Sequence, residues 1–314
     1  MKLLIVGDIH LRGDNPRNRI GNYYEDCMTK LREVFEIAEK ENATIIQVGD
    51  FFNSPSASIS VISEIVTLLR DNKNFPINTI AGNHDIFAHN LNTLSRTPLG
   101  FLLEQSFLYH VDDLNAFEEK IDFIGRDFDY TIDSDYSEYI TPEHPASELQ
   151  ILVVHGMLLE KPAPFKHSLI EEVAKITNAD VIISGHYHLP FKKIYKGKLF
   201  INPGALMRMS ATEEEMNRIP QVILLDTDNW ENCKEIPLKC ARPGIEVLDR
   251  SSIEVNNERE ENMSQFIASL ENTGEQKFMN LQEMMEQIAG KEFLDKNIID
   301  EAIKRLGKVR ENIK

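Results

Sequence analysis

The sequence predicts an α/β protein. Two β-sheets pack face to face as a sandwich flanked by helices, and a small, mainly helical appendage follows at the C-terminal end. Three observations predict this. Over the first part of the chain, short apolar runs alternate with amphipathic segments, the β-loop-helix-β rhythm of parallel strands with crossover helices. From Phe191 to Leu238 the runs shorten and are separated by turns such as Lys196-Gly197, which predicts antiparallel strands. Beyond about Ser251 the strand signals fade and helical periodicity replaces them, so a boundary falls near residues 250–256 and the domains are 1–250 and 251–314.

Taken in order, Lys2 to Val6 is an apolar run that stops at Gly7-Asp8, as a buried strand does. Arg12 to Asn22, rich in Gly, Asn, Pro and Arg, is an exposed loop. Tyr24 to Asn42 sets Leu31, Val34, Phe35 and Ala38 on one helix face. Thr44 to Val48 is the next strand, Ile59 to Leu69 a second helix, and Ile77 to Ala81 a third strand. Phe107 to Val111 and Lys120 to Ile124 follow as strands, and the acidic stretch from Asp112 to Glu148 otherwise reads as solvated loops. Leu149 to Val154 is a strand, Ser168 to Thr177 a helix and Asp180 to Ser184 another buried strand. Phe191 to Tyr195, Lys198 to Ile201, Gln221 to Leu225 and Glu235 to Leu238 are the short antiparallel set. In the tail, Asn262 to Leu270, Leu281 to Ile288 and Lys296 to Ile313 have helical spacing.

The bulk composition narrows the function. The chain has 314 residues, ordinary apolar and charged fractions, and three cysteines with no Cys-x-x-Cys pair, an odd number that argues against a disulfide framework. A reducing compartment, the cytoplasm, is expected. The apolar start Met1 to Val6 ends too soon for a secretion signal, and no stretch has the length of a membrane span. The net charge of -17 repels polyanions at long range and opposes a high-affinity DNA binder acting alone. It leaves room for a nuclease whose bound cations and local lysines offset that field.

The chemistry lies where strands give out. Asp8 with His10, Gly49-Asp50, Gly82-Asn83-His84-Asp85, His155-Gly156 and Gly185-His186-Tyr187-His188 each follow an apolar run, the place where open α/β sheets keep their ligands. Taken singly, each is an ordinary turn or a hydrogen-bonded structural histidine. Together, Asp8, His10, Asp50, Asn83, His155, His186 and His188 offer more carboxylate, imidazole and amide-oxygen donors than one divalent ion needs. A two-metal centre clamping an in-line displacement at phosphorus is the economical reading.

These motifs, in this order from residue 7 to residue 188, resemble those of the calcineurin-like metallophosphoesterases, whose fold is a two-sheet sandwich flanked by helices. The resemblance implies a first metal site of Asp8, His10, Asp50 and His188, and a second of Asp50, Asn83, His155 and His186 with Asp50 bridging. It implies that His84 holds phosphate oxygens and protonates the leaving oxygen, and that Asp85 orients His84. A narrower resemblance lies in Asn202-Pro203-Gly204-Ala205-Leu206-Met207-Arg208-Met209-Ser210, the following strand, and Ala241-Arg242-Pro243-Gly244, which are similar to the SbcD-type DNA repair nucleases. That family implies DNA as substrate, manganese as the metal (iron, zinc or magnesium being the alternatives), and an SbcC-type coiled-coil ATPase as partner, with a homodimer allowed. After Asp50 this chain carries Asn53 where many relatives have the His or Asp linked to exonuclease action, which leaves the cleavage mode open.

Lys192, Lys193, Lys196 and Lys198 crowd beside the last motif, with Arg208 following and Arg12, Arg17 and Arg19 near the first. Of these, Arg12, Lys192, Lys193 and Arg208 are candidate phosphate contacts, against the reading of a solvated hairpin edge. The stripe Ile298, Ile299, Ile303 and Leu306 either packs on the catalytic domain or docks on a partner's helices. Three functions follow: a two-metal nuclease subunit, the same chemistry on a small phosphodiester such as a cyclic nucleotide, and a scaffold without catalysis. Retention of the whole donor set argues against the last.

Overall fold

Leu3, Leu4, Ile5 and Val6 are apolar without alternation, so a strand built from them must be covered on both faces. In the computed structural model, which describes residues 1–116, 120–143 and 149–251, it is so covered. Strand β1 (Lys2–Val6) lies in parallel beside β2 (Thr44–Gln47), then β3 (Ile77–Thr79) and the two-residue β4 (Tyr109–His110). Helix α1 (Tyr23–Glu41) crosses from β1 to β2, and α2 (Ile59–Asp71) from β2 to β3, each started by a polar cap. The Asn22 side chain accepts from the Glu25 amide and that of Ser58 from the Val61 amide. Asn42, in the left-handed region at φ 50°, ends α1. Helix α3 (Pro98–Glu104) precedes β4.

The second sheet is built the same way. Strands β5 (Ile121–Arg126) and β6 (Leu149–Val154) pair in parallel, with α4 (Ile132–Asp135) in the segment between them. A short parallel pair, β7 (Leu158–Leu159) with β8 (Ser168–Leu169), leads into α5 (Ile170–Ile176) and then β9 (Val181–Ser184), which pairs in parallel with β6. Strands β10 (Phe191–Tyr195) and β11 (Lys198–Asn202) form a hairpin whose turn residues, Lys196 and Gly197, have φ of 51° and 73°, as a primed turn requires. The chain then returns to the first sheet. Strand β12 (Gln221–Asp226) runs antiparallel to β1, and β13 (Lys234–Pro237) antiparallel to β12.

The two-sheet α/β sandwich is therefore as the sequence predicts, with four differences. Strand β11 is antiparallel only to β10 and lies parallel to β9, because its buried run Leu199-Phe200-Ile201 needs neighbours on both sides. The predicted strand Phe107 to Val111 keeps only two paired residues at the sheet edge. The predicted helix over Ser168 to Thr177 begins at Ile170, since Ser168 and Leu169 pair with β7. The acidic stretch is not merely solvated loop: Phe128, Ile132 and Tyr139 are buried in the core, Asp129 and Asp135 face out, and Asp133 turns in to accept from the Met157 amide and the Ser168 hydroxyl.

Alternation along the strands sorts the core into layers. Leu3, Ile5, Ile46 and Val48 of the first sheet meet Phe123, Ile151, Val153, Val181 and Ile183 of the second in one buried cluster between the sheets. On the outer face, Leu4, Val6 and Ile45 pack with Cys27, Leu31, Val34 and Phe35 of α1. Leu152, Val154 and Ile182 turn the other way, with Ile170 and Val173 of α5 in the same cluster. Residues Met1–Arg250 cluster as one compact unit. The helices predicted after residue 260, and the stripe containing Ile298, Ile299, Ile303 and Leu306, lie outside the described residues. Among the described residues no helix is long and apolar enough to cross a membrane.

Candidate metal centre

Parallel strands end at one edge of a sheet, so five of them deliver their loops to one place. Asp8 and His10 follow β1, Asp50 follows β2, Asn83 to Asp85 follow β3, His155 follows β6, and His186 and His188 follow β9. The loops turn sharply enough to aim these side chains inward. His10, Asp50 and His186 all sit in the left-handed region, at φ 50°, 52° and 67°. Backbone strain of this kind at non-glycine residues persists where function holds it. Two glycines let the loops close on one another. A Cβ on Gly82 would lie 2.2 Å from the Asp50 carboxylate, and one on Gly185 would lie 2.5 Å from the Val48 carbonyl and 2.8 Å from Asp8 Oδ1.

The result is two adjacent donor groups, bridged by a third in which His10 and Asp50 meet His84. In one, the ligand atoms of Asp8, His10 and His188 lie within 4.8 Å of each other; in the other, so do those of Asp50, His155 and His186. His10 Nε2 is 3.1 Å from His188 Nε2, and His188 Nε2 is 3.5 Å from Asp8 Oδ2. Asp50 stands between the groups, its Oδ2 3.7 Å from His10 Nε2 and 3.4 Å from His155 Nε2. Asn83 Oδ1 is 3.1 Å from His155 Nε2 and so joins the second group. The seven residues expected as ligands are thus brought together.

The electrostatics of this cluster call for cations. Burial pushes the Asp8 carboxyl up to about 7, with Asp50 adding to the rise. It pushes His10 well below its ordinary value, His186 down to about 3 and His188 down to about 4. These rings are neutral donors at neutral pH, the form that binds metal. At His155, burial also opposes charge, yet Asp50, Asp8 and the Val48 carbonyl outweigh it and raise the ring to about 10. His155 Nδ1 donates to the Val48 carbonyl at 2.7 Å, so Nε2 of the neutral ring turns a lone pair towards Asn83 Oδ1 and Asp50. Acceptors facing acceptors are repulsive unless a proton or a metal ion lies between them. Asp50 Oδ2 is itself buried without a hydrogen-bond partner. The residues therefore fit divalent cations, one beside Asp8, His10 and His188, the other beside Asn83, His155 and His186, with Asp50 available to both.

Around the donors lies a layer of supports. Asp50 Oδ1 accepts from the His84 amide at 2.8 Å and Asp8 Oδ2 from the His186 amide at 3.0 Å. His84 Nδ1 donates to the Asn53 carbonyl at 2.9 Å, which fixes the tautomer and leaves Nε2 free. The ring stands edge-on to His10 at 4.8 Å between centroids. The expectation that Asp85 orients His84 is corrected here. Its carboxylate is buried and accepts three main-chain N–H groups, Phe51 at 3.2 Å, Phe52 at 2.9 Å and Gly82 at 2.9 Å, so it fastens the second loop to the third.

The candidate phosphate contacts are placed variously. Arg12 is held in its own loop by Asp14, at 2.9 and 2.6 Å. Lys192 donates to the Cys233 carbonyl at 3.3 Å, and Lys193 lies 3.6 Å from Glu160. Arg208 is buried and gives its terminal nitrogens to the carbonyls of Arg242 and Arg218, at 2.8 and 2.7 Å, so it braces the chain and is turned away from solvent.

Four residues escaped the sequence reading. Buried Lys30 of α1 donates to the Leu206 carbonyl at 2.9 Å, and Arg218 donates to those of Ala205 and Met207 at 2.7 Å each. They hold the segment Asn202–Ser210, whose Leu206 amide donates to the Asp8 carbonyl at 2.8 Å and whose Ala205 amide donates to that of His188 at 3.0 Å. Nothing in the local sequence marks these two cations. Asp127 Oδ1 accepts from the Ala81 amide at 2.6 Å, and Phe128 packs on His155 and His186. Here a signal existed, since Gly125-Arg126-Asp127 ends a strand with an acid as the other loops do.

The sequence profile of the calcineurin-like phosphoesterase superfamily domain matches residues 1–229. No curated protein sequence matches the chain. Among solved structures, an archaeal phosphodiesterase is 24% identical, covering 76% of this chain and 100% of that one at a TM-score of 0.42. A protein of Thermus thermophilus is 14% identical over 75% of this chain and 98% of its own, at a TM-score of 0.45. A putative 5'-nucleotidase from Staphylococcus aureus in complex with alpha-ketoglutarate is 17% identical over 75% of this chain and 54% of its own, at a TM-score of 0.43.

Proposed function

Because the chain belongs to the calcineurin-like phosphoesterase superfamily, hydrolases with a dinuclear metal site, we propose that it is a two-metal phosphodiesterase acting on DNA, the nuclease subunit of a repair or recombination complex of the SbcD type. The observation that carries the catalytic part is the convergence of seven donors on two groups that share Asp50. Divalent cations there, manganese in this reading, supply Lewis-acid stabilisation of the charge that develops on the phosphoryl oxygens. The chain's own residues do the rest. The five strand-end loops, Asp50 and Asn83 among their residues, set where the phosphate sits. His84, tethered by its amide to Asp50 and by Nδ1–H to the Asn53 carbonyl, acts in its doubly protonated form: Nε2–H donates to the phosphate and passes its proton to the leaving oxygen as water bonds to phosphorus and the P–O bond breaks, which returns the ring to neutral. Support for DNA comes from the segment Asn202–Ser210 and the junction at Ala241-Arg242-Pro243-Gly244, which are similar to the repair nucleases. A coiled-coil ATPase is the partner this reading carries.

The net charge of -17 favours a second reading, a small phosphodiester as substrate. Manganese-loaded protein is to be given linear and hairpin DNA and bis-p-nitrophenyl phosphate, with and without a coiled-coil ATPase encoded nearby. Cleavage of DNA that drops about 10²- to 10⁴-fold in His84→Ala supports the nuclease. Hydrolysis of the small diester with no DNA cleaved under any condition selects the second reading.

A further inference from the structure

Beside the second donor group an unbroken series of rings runs outward. Phe128, 7% exposed, packs on His186 at 5.9 Å and on His155 at 6.1 Å between centroids. His89 meets Phe128 edge-on at 5.5 Å and lies 26° from parallel to Tyr130 at 6.4 Å. Tyr130 is 68% exposed, and Lys166 stands 4.7 Å from its ring centre while donating to its carbonyl. Rings so exposed do not serve the core, and His89 is held out by two successive left-handed residues, Ala88 at φ 50° and His89 at φ 55°. Strain of that kind costs free energy and clusters at ligand-binding segments, although turns and caps elsewhere in this chain share it. Phe128 anchors the series at the donors; His89 and Tyr130 end it in solvent.

We propose that His89 and Tyr130 form a stacking platform for the nucleobase next to the hydrolysed phosphate, with Lys166 beside it for the flanking phosphate. The platform deepens the nuclease reading and rests on it: it makes the substrate single-stranded or frayed at the reacting nucleotide, since a paired base cannot leave its stack to lie on a side chain. It also answers the charge problem. A chain at -17 gains little from the phosphate backbone at long range, whereas base stacking on aromatic rings does not depend on net charge.

The test is equilibrium binding by the full chain, followed by fluorescence anisotropy in EDTA and again with calcium. The probes are a short labelled single-stranded oligodeoxynucleotide and an abasic oligonucleotide of equal length and charge. Wild type is expected to prefer the base-containing probe by about tenfold. Tyr130→Ala and His89→Ala are expected to erase most of that preference, and Tyr130→Phe to keep it. Circular dichroism confirms that each variant is folded. Equal binding of the two probes by wild type, or a preference undiminished in both alanine variants, overturns the platform. A base preference in a protein that cleaves no DNA with manganese would sink the nuclease reading and leave a base-binding surface that no longer serves a hydrolysed phosphate. Equal cleavage of both probes would sink the platform and leave the nuclease reading.

Discussion

At the scale of single residues, two buried ionisable side chains hold main-chain groups rather than substrate, and both are testable. Asp85 satisfies the amides of Phe51, Phe52 and Gly82, which its loss would leave buried and unpaired. Each such group costs about 1–3 kcal/mol. Asp85→Ala is expected to destabilise the fold by about 3–5 kcal/mol in urea denaturation, and Asp85→Asn by less because one acceptor remains. Lys30 shows the opposite balance. Burial, with Arg218, Arg208 and Arg19 nearby, lowers its pKa from the ordinary 10.5 to about 7. Between those values the unfolded chain binds a proton that the folded chain does not, so stability rises with pH across that window. Below about 7 both states hold the proton and the folded state bears the full cost of burying it. Lys30→Met is expected to flatten the rise, by roughly 2–4 kcal/mol between the ends of the window, as read from denaturation curves at several pH values. The donor residues themselves were legible because Asp, His and Asn ended apolar runs. The braces were not, because the carbonyls that Lys30 and Arg218 serve lie far away or carry no side-chain signature.

At the scale of elements, the centre depends on how closely the strand-end loops approach. Gly185 stands where a methyl group would press on both the Val48 carbonyl and Asp8 Oδ1. Gly185→Ala is expected to move Asp8 and weaken manganese binding at least about tenfold by titration calorimetry, with the strands still formed by circular dichroism. An unchanged affinity would show that the loops have slack. Strands with continuous apolar runs, β1, β6 and β9, were plain in the sequence because both of their faces are buried. The direction of β11 was not, since it depends on a partner, β9, that the local pattern does not name. The small extent of β4 was hidden for a related reason: Tyr109 and His110 pair at one edge only.

At the scale of the whole molecule, the centre is a cluster of buried carboxylates and rings inside an already acidic chain, so cations that fill it also stabilise the fold. A site saturated at a hundredfold its dissociation constant adds about 2.7 kcal/mol. In a domain of this size that is a rise in melting temperature of about 5–10 °C. Manganese added to chelator-treated protein is expected to give such a rise, and Asp50→Ala to abolish it. Equal melting with and without manganese would contradict the centre. The arrangement of β1 has a different consequence, one for biosynthesis. It occupies the middle of its sheet, with β2 on one side and β12, made some two hundred residues later, on the other. On the ribosome β1 keeps one bare edge for on the order of 10–40 s, until Asp226 emerges. During that interval its backbone is open to pairing with other nascent chains, a hazard that a chaperone covers and that slower translation lengthens.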